Sequence, residues 1–261
     1  MADAHRQPTL SPSSSALVAC AEQLTLTQIS AWYALELSTD ESAKLTPARN
    51  LTEDLFASLE SSGIIKRAKP QDPHSRTALY DSLSWVYGSS PLVTSVDRKA
   101  LCGLLRTRAR DVEPEEIAQF WSMLASAESE SYLRNQMMRH RLDFENFEEV
   151  ICLAQELWIK HSLGRRRYLA WHAVRHAAAS MMRSGSNLRF AADVLLTSIN
   201  RRARWLHQRA NSKTQANEYC FVPEASWRSP ILVDVFLKDI SNIGHRYWSS
   251  PPRADNILPR K

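Results

Sequence analysis

The stretch LESSGIIKRAKPQDPHSRTAL, Leu59 to Leu79, joins the end of a helix to a polar arm, and its reading decides the fold of the first third of the chain. Glycine at position 63 is a helix stop, because it accepts the left-handed backbone that ends a helix without a Cβ penalty. Ile64 and Ile65 then favour an extended step. Beyond them Lys66, Arg67, Lys69, His74 and Arg76 load the arm with positive charge, and Pro70 and Pro73 punctuate it.

Upstream, TPARNLTEDLFASLESSG places Leu51, Leu55, Phe56 and Leu59 on one helical face. Thr46 followed by Pro47 is a start signal, since proline at the first helical position loses no internal hydrogen bond. Leu24, Ile29, Trp32, Tyr33 and Leu37 suit one or two earlier helices, with a short turn over 40–45. Downstream, RTALYDSLSWVYG fits two periods. A strand would align Leu79, Asp81, Leu83 and Trp85, whereas a helix would align Leu79, Leu83, Val86 and Tyr87. After Pro91 the pattern is helical, with helices expected near 97–109, 114–126, 128–140, 144–161, 165–183, 187–209 and 230–246.

The expected fold is therefore mainly α: an N-terminal winged-helix-like module with a small β-hairpin, then a helical bundle domain. In residue terms, 1–15 form a disordered tail and 16–90 the module. Residues 91–213 form the helical domain, basic in its second half, and 214–261 hold a connection, a terminal helix and a tail.

The order of elements resembles that of the MarR-like winged-helix transcription regulators. The resemblance is carried by Leu59, Glu60, Gly63, Ile64 and Ile65, then Arg67, Asp72 and Arg76. It implies a wing whose Arg76 contacts phosphate or the minor groove. Three features depart from that family: Asp72 and Arg76 are separated by three residues where the family usually has one, the recognition-helix position carries Glu53 and Asp54, and a long helical region follows. Arg49 and Asn50, just before the helix body, are the candidates for base edges, since arginine pairs with guanine and asparagine with adenine in the major groove.

Charge is segregated along the chain. Lys160 to Lys213 holds ten arginines and two lysines against the single acid Asp193, whereas everything before it carries 15 basic and 22 acidic residues. Such a basic surface calls for an anionic partner: nucleic acid, an acidic protein, or the chain's own acidic half. Arg165, Arg166, Arg167, Arg201, Arg202 and Arg209 are the candidate phosphate contacts, with Tyr168, Trp171 and Trp205 placed either to stack on unpaired bases or to pack between helices.

Catalytic signatures are sparse. His172 and His176 share a helical face and could hold a metal, but HAVRH lacks the glutamate of the zinc-hydrolase helix. Phosphate-loop, GxSxG and Rossmann glycine patterns are absent, and the chain has six glycines to build them from. Neither a catalytic residue, a metal nor a cofactor is expected. The four cysteines are dispersed, which fits a reducing cytoplasm, and no segment reads as a membrane span. The sequence reads as a non-enzymatic nucleic-acid-binding protein, in particular a DNA-binding regulator. The alternative is an adaptor, inhibitor or assembly subunit with oppositely charged halves, possible also as a homo-oligomer, and the third reading is an enzyme using the His172–His176 face.

Overall fold

A computed structural model describes residues 21–38, 44–67, 77–80, 83–87, 98–184, 187–210 and 228–257. The tail expected over 1–15 lies outside them. The chain is mainly helical and divides into two compact units. The first comprises Met1–Leu45, Arg49–Val112 and Pro230–Ile240, and the second Thr46–Ala48, Glu113–Ser229 and Ser241–Lys261.

In the first unit, α1 (Leu26–Leu37) opens on a capping box. Thr25 Oγ1 accepts from the Gln28 amide at 3.2 Å, and the Thr25 amide donates to Gln28 Oε1 at 2.9 Å, which satisfies two otherwise orphaned donors. The Gln28 side-chain amide also donates to the hydroxyls of Ser58 (3.0 Å) and Ser62 (2.9 Å), which ties α1 to α2 (Arg49–Ser61). Helix α2 buries Leu51, Leu55, Phe56 and Leu59, the face its sequence period predicts. It ends at Gly63, whose φ of +74° lets Gly63 N reach Glu60 O (2.9 Å) and Ile64 N reach Leu59 O (3.0 Å).

Three strands follow: β1 (Ile65–Arg67), β2 (Thr77–Tyr80) and β3 (Leu83–Tyr87). Their order is β1-β3-β2, with both pairings antiparallel. Ile65 lies opposite Tyr87 and Arg67 opposite Trp85, while Thr77 lies opposite Val86 and Tyr80 opposite Leu83. The segment that suits either one strand or one helix thus forms two paired strands. Leu79 faces Ser84 across the ladder, so no single alternation runs through from Leu79 to Trp85.

Helix α3 (Arg98–Asp111) packs on α1, as does α8 (Ile231–Val235). The boundary expected near residue 90 is therefore displaced to Val112, because α3 turns Leu101, Leu105 and Ala109 into the core of the first unit. The terminal helix joins the same unit. Its first amides are satisfied by the chain at 44–45: Ile231 N donates to Lys44 O and Leu232 N to Leu45 O, both at 3.0 Å. The single helix expected over 230–246 instead passes into a π turn, Phe236–Ile240, and leaves helical geometry at Ser241. The π turn carries buried Asp239, which accepts from Arg106 Nη2 at 2.7 Å and lies 3.7 Å from Cys102 Sγ. Burial beside Cys102 and Asp239 pushes the Tyr33 hydroxyl up to about 12.

The second unit contains α4 (Pro114–Arg139), α5 (Phe147–Trp158), α6 (Leu163–Arg183), α7 (Leu188–Ala210) and α9 (Arg246–Ser249). Pro114 stands at the start of α4 with Glu115 and Glu116 in its first turn, near the positive end of the helix dipole. Helix α4 runs unbroken where the sequence predicts two helices, 114–126 and 128–140, and Glu128 and Ser129 lie within it. Both are buried, and both have partners: Ser129 Oγ donates to Ala125 O at 2.6 Å, and Glu128 meets Arg167 and Tyr247. Leu133, Met137, Ile151, Trp158, Leu169, Val174, Leu195 and Ile199 fill the core of this unit. Among the described residues, no helix is long and apolar enough to cross a membrane.

Candidate nucleic-acid interface

The basic region folds as a hairpin of α6 and α7, packed on each other along their length. Ser162 caps α6, its hydroxyl accepting from Arg165 N at 3.4 Å. Contacts between His176 and Ser198 and between Tyr168 and Arg202 run in opposite chain directions, so the two helices are antiparallel. Their apolar stripes, Leu169, Ala173, Val174 and Ala177 on α6 and Ala191, Leu195, Ile199 and Leu206 on α7, are buried and leave the arginines to the remaining faces.

The outcome differs among the candidate arginines. Arg166 is fully buried and is removed from the set of possible phosphate contacts. Its guanidinium donates to Ile159 O (2.6 Å), His161 O (2.9 Å) and Ser126 Oγ (3.4 Å), binding the turn before α6 to α4. Desolvation lowers its pKa to about 10. Arg167 is likewise turned inward. It pairs with buried Glu128 at 3.0 Å, with its guanidinium 4.7 Å from the Trp248 ring centre and 5.2 Å from that of Tyr132. A run of three arginines on a helix points to three directions, since successive residues are about 100° apart, so two of them meet the core here.

Arg165 is half-buried, and Arg201 is exposed on the outer side of α7. Arg202 is half-buried and held from both sides. Its Nε donates to the Tyr168 hydroxyl at 2.9 Å, and its guanidinium lies 3.8 Å from the Trp205 ring centre and 5.5 Å from that of Tyr168. On α6 the exposed Arg175 lies 4.9 Å from the ring centre of Trp171. Trp171 and Trp205 are themselves partly buried against the core of the unit, which is the packing role of the two that the sequence leaves open for these aromatics. Arg175 and Arg204, both exposed, are additions to the sequence-derived set. The i,i+4 spacing of Trp171 with Arg175 and the i,i+3 spacing of Arg202 with Trp205 were the available signals.

Between these arginines lie His172 and His176, with ring centres 6.4 Å apart. His176 Nδ1 is 2.8 Å from Ser198 Oγ. Burial, then Arg202, His176 and Arg201, lower the pKa of His172, which favours the neutral ring. At the other end of the hairpin, burial and the charges of Arg165 and Arg166, with His207, hold His161 down at about 4. Burial is the larger cause of both shifts, and the neighbouring positive charges add to it. Among the described residues, no group of three or more His, Cys, Asp or Glu could hold a metal ion.

The first-unit candidates are distributed differently. Arg49 and Asn50 are exposed at the start of α2, and Arg49 Nε pairs with Glu53 at 2.8 Å. That intrahelical pair engages with a carboxylate the guanidinium that the sequence offers to a guanine edge. Lys66 and Arg67 are strand residues of β1, and Arg209 lies in the last turn of α7. Lys69 and Arg76 lie outside the described residues, and with them the wing contact implied for Arg76.

Comparison of the chain with protein-family models, with curated proteins and with solved structures yields no match.

Proposed function

We propose that this protein binds nucleic acid through the basic face of the α6–α7 hairpin, without catalysing a reaction on it. The observation that carries the reading is the exposure of Arg175, Arg183, Arg189, Arg201 and Arg204 on a hairpin whose sequence contains one acid, Asp193. Several arginines on one rigid element can neutralise successive phosphates and release their counterions. The first unit is a winged-helix-like second contact in this reading. The sheet that follows α2, and the exposed Arg49 and Asn50, support that role, while Glu53 and Asp54 make it the weaker grip.

Fluorescence-anisotropy titration of labelled oligonucleotides tests the proposal. Four phosphate contacts correspond to an affinity loss of roughly 50-fold for a single strand and roughly 150-fold for a duplex between about 50 and 200 mM salt. Reversing two outward charges, Arg201→Glu with Arg204→Glu, should weaken binding to both and flatten the salt dependence. Absence of binding at low salt, or binding indifferent to salt, refutes the reading. Capture of a strongly acidic protein in its place would favour the adaptor, a role to which the exposed Met182 and Phe190 at the hairpin tip are also suited.

A further inference from the structure

We infer that the ligand of the α6–α7 face is single-stranded, with unpaired bases stacking on its arginine–aromatic pairs; the inference rests on the nucleic-acid reading above. The arginines of this hairpin fall into two kinds. Arg201 and Arg204 are exposed on the outer side of α7, as phosphate contacts require. Arg175 and Arg202 instead lie over aromatic rings, at 4.9 Å from the centre of Trp171 and 3.8 Å from that of Trp205. A guanidinium held over an indole offers a flat, cationic surface suited to the face of a base. Base faces are covered in a duplex and open in a single strand, so stacking surfaces select the unpaired form.

The platform is built rather than incidental. Both indoles rest against the core of the unit, and the Tyr168 hydroxyl accepts from Arg202 Nε at 2.9 Å, which fixes the position of that guanidinium. Along α6, Trp171 and His172 each meet the buried Tyr168, with ring centres 6.2 and 6.1 Å away, and His172 meets His176 at 6.4 Å, so a series of rings follows the helix. From Trp171 to His176, beyond the buried Tyr168, the helix rises ~7.5 Å, the length of about two nucleotides at ~3.4 Å each. The low pKa of His172 keeps a neutral ring within this series, which suits stacking better than phosphate pairing.

The test uses the full chain and a roughly 20-nucleotide mixed-sequence strand, presented alone and as a blunt duplex, in DNA and RNA forms. The single strand should bind at least ten-fold tighter than its duplex. Arg175→Lys keeps the charge and removes the planar guanidinium. It should lower single-strand affinity about five-fold or more, leave the salt slope unchanged, and preserve the far-ultraviolet dichroism. Equal or tighter duplex binding, or an Arg175→Lys variant within two-fold of the parent, overturns the single-strand inference and leaves the nucleic-acid reading standing. If neither form binds at low salt, both fall. Preference between DNA and RNA single strands separates the two sources of the same chemistry.

Discussion

Replacing Glu128 by glutamine probes the buried polar centre of the second unit. Glu128 is 2% exposed on α4, where it accepts from Arg167 Nη2 at 3.0 Å and from the Tyr247 hydroxyl at 2.9 Å. Desolvation raises its pKa from 4.5 to about 7, against the opposing pull of the Arg167 charge and of the bonds from Tyr247 and Arg167. Between those two values the folded protein holds a proton that the unfolded chain has released. The resulting stabilisation is complete below about pH 4.5 and is lost as pH rises through about 7. At ~1.4 kcal/mol per pKa unit, the whole window corresponds to about 3 kcal/mol. His161 acts with the opposite sign. Its pKa falls from 6.5 to about 4, so its contribution is complete above about 6.5 and is lost as pH falls toward 4. The pH profile of the parent protein sums both, whereas subtracting that of Glu128→Gln, which has no proton to lose, isolates the carboxyl. Urea unfolding from about pH 5 to about pH 8 should show the parent's stability relative to the variant falling by about 2 to 3 kcal/mol. A flat difference, or one that grows with pH, would mean that Arg167 keeps the carboxylate ionised throughout and that desolvation has been overvalued.

Other substitutions test the remaining assignments. Arg166→Met retains an apolar stem but leaves the carbonyls of Ile159 and His161 without their donor, and should cost about 2 to 4 kcal/mol in urea unfolding. The affinity of the folded fraction for oligonucleotides should not change, because Arg166 is buried. Gly63→Ala forces a Cβ into a left-handed backbone at φ +74° and should lower stability by about 1 to 2 kcal/mol, read in the same assay. Arg141 occupies φ +56° just after α4, so Arg141→Gly relieves the same kind of strain. A gain of up to about 1 kcal/mol is expected there, reduced by the greater freedom of glycine in the unfolded chain.

Much of the local structure was legible in the sequence because its causes are local. The apolar period of Leu51, Leu55, Phe56 and Leu59, the Gly63 stop and the proline-led start of α4 each depend on neighbours within a turn or two. The sheet was only half legible. Both candidate periods in RTALYDSLSWVYG pass through its middle, and the pairing of β1 with β3 joins residues about twenty positions apart.

What the sequence alone determined was the helical character of the chain and the concentration of positive charge after Lys160, since composition and period survive any arrangement of the helices. Tertiary structure decided which charges remain available. Arg165, Arg166 and Arg167 are adjacent in sequence, yet one is half-buried, one is fully buried and bonds the carbonyls of Ile159 and His161, and one pairs with Glu128 on an element about forty residues earlier. A helix turns each neighbour by about 100°, and only the packing of α4 and α9 against α6 settles which of those directions is the interior. The pairing of Arg175 with Trp171 and of Arg202 with Trp205 is set by spacing within each helix, whereas packing against the core of the unit decides that both indoles are half-buried.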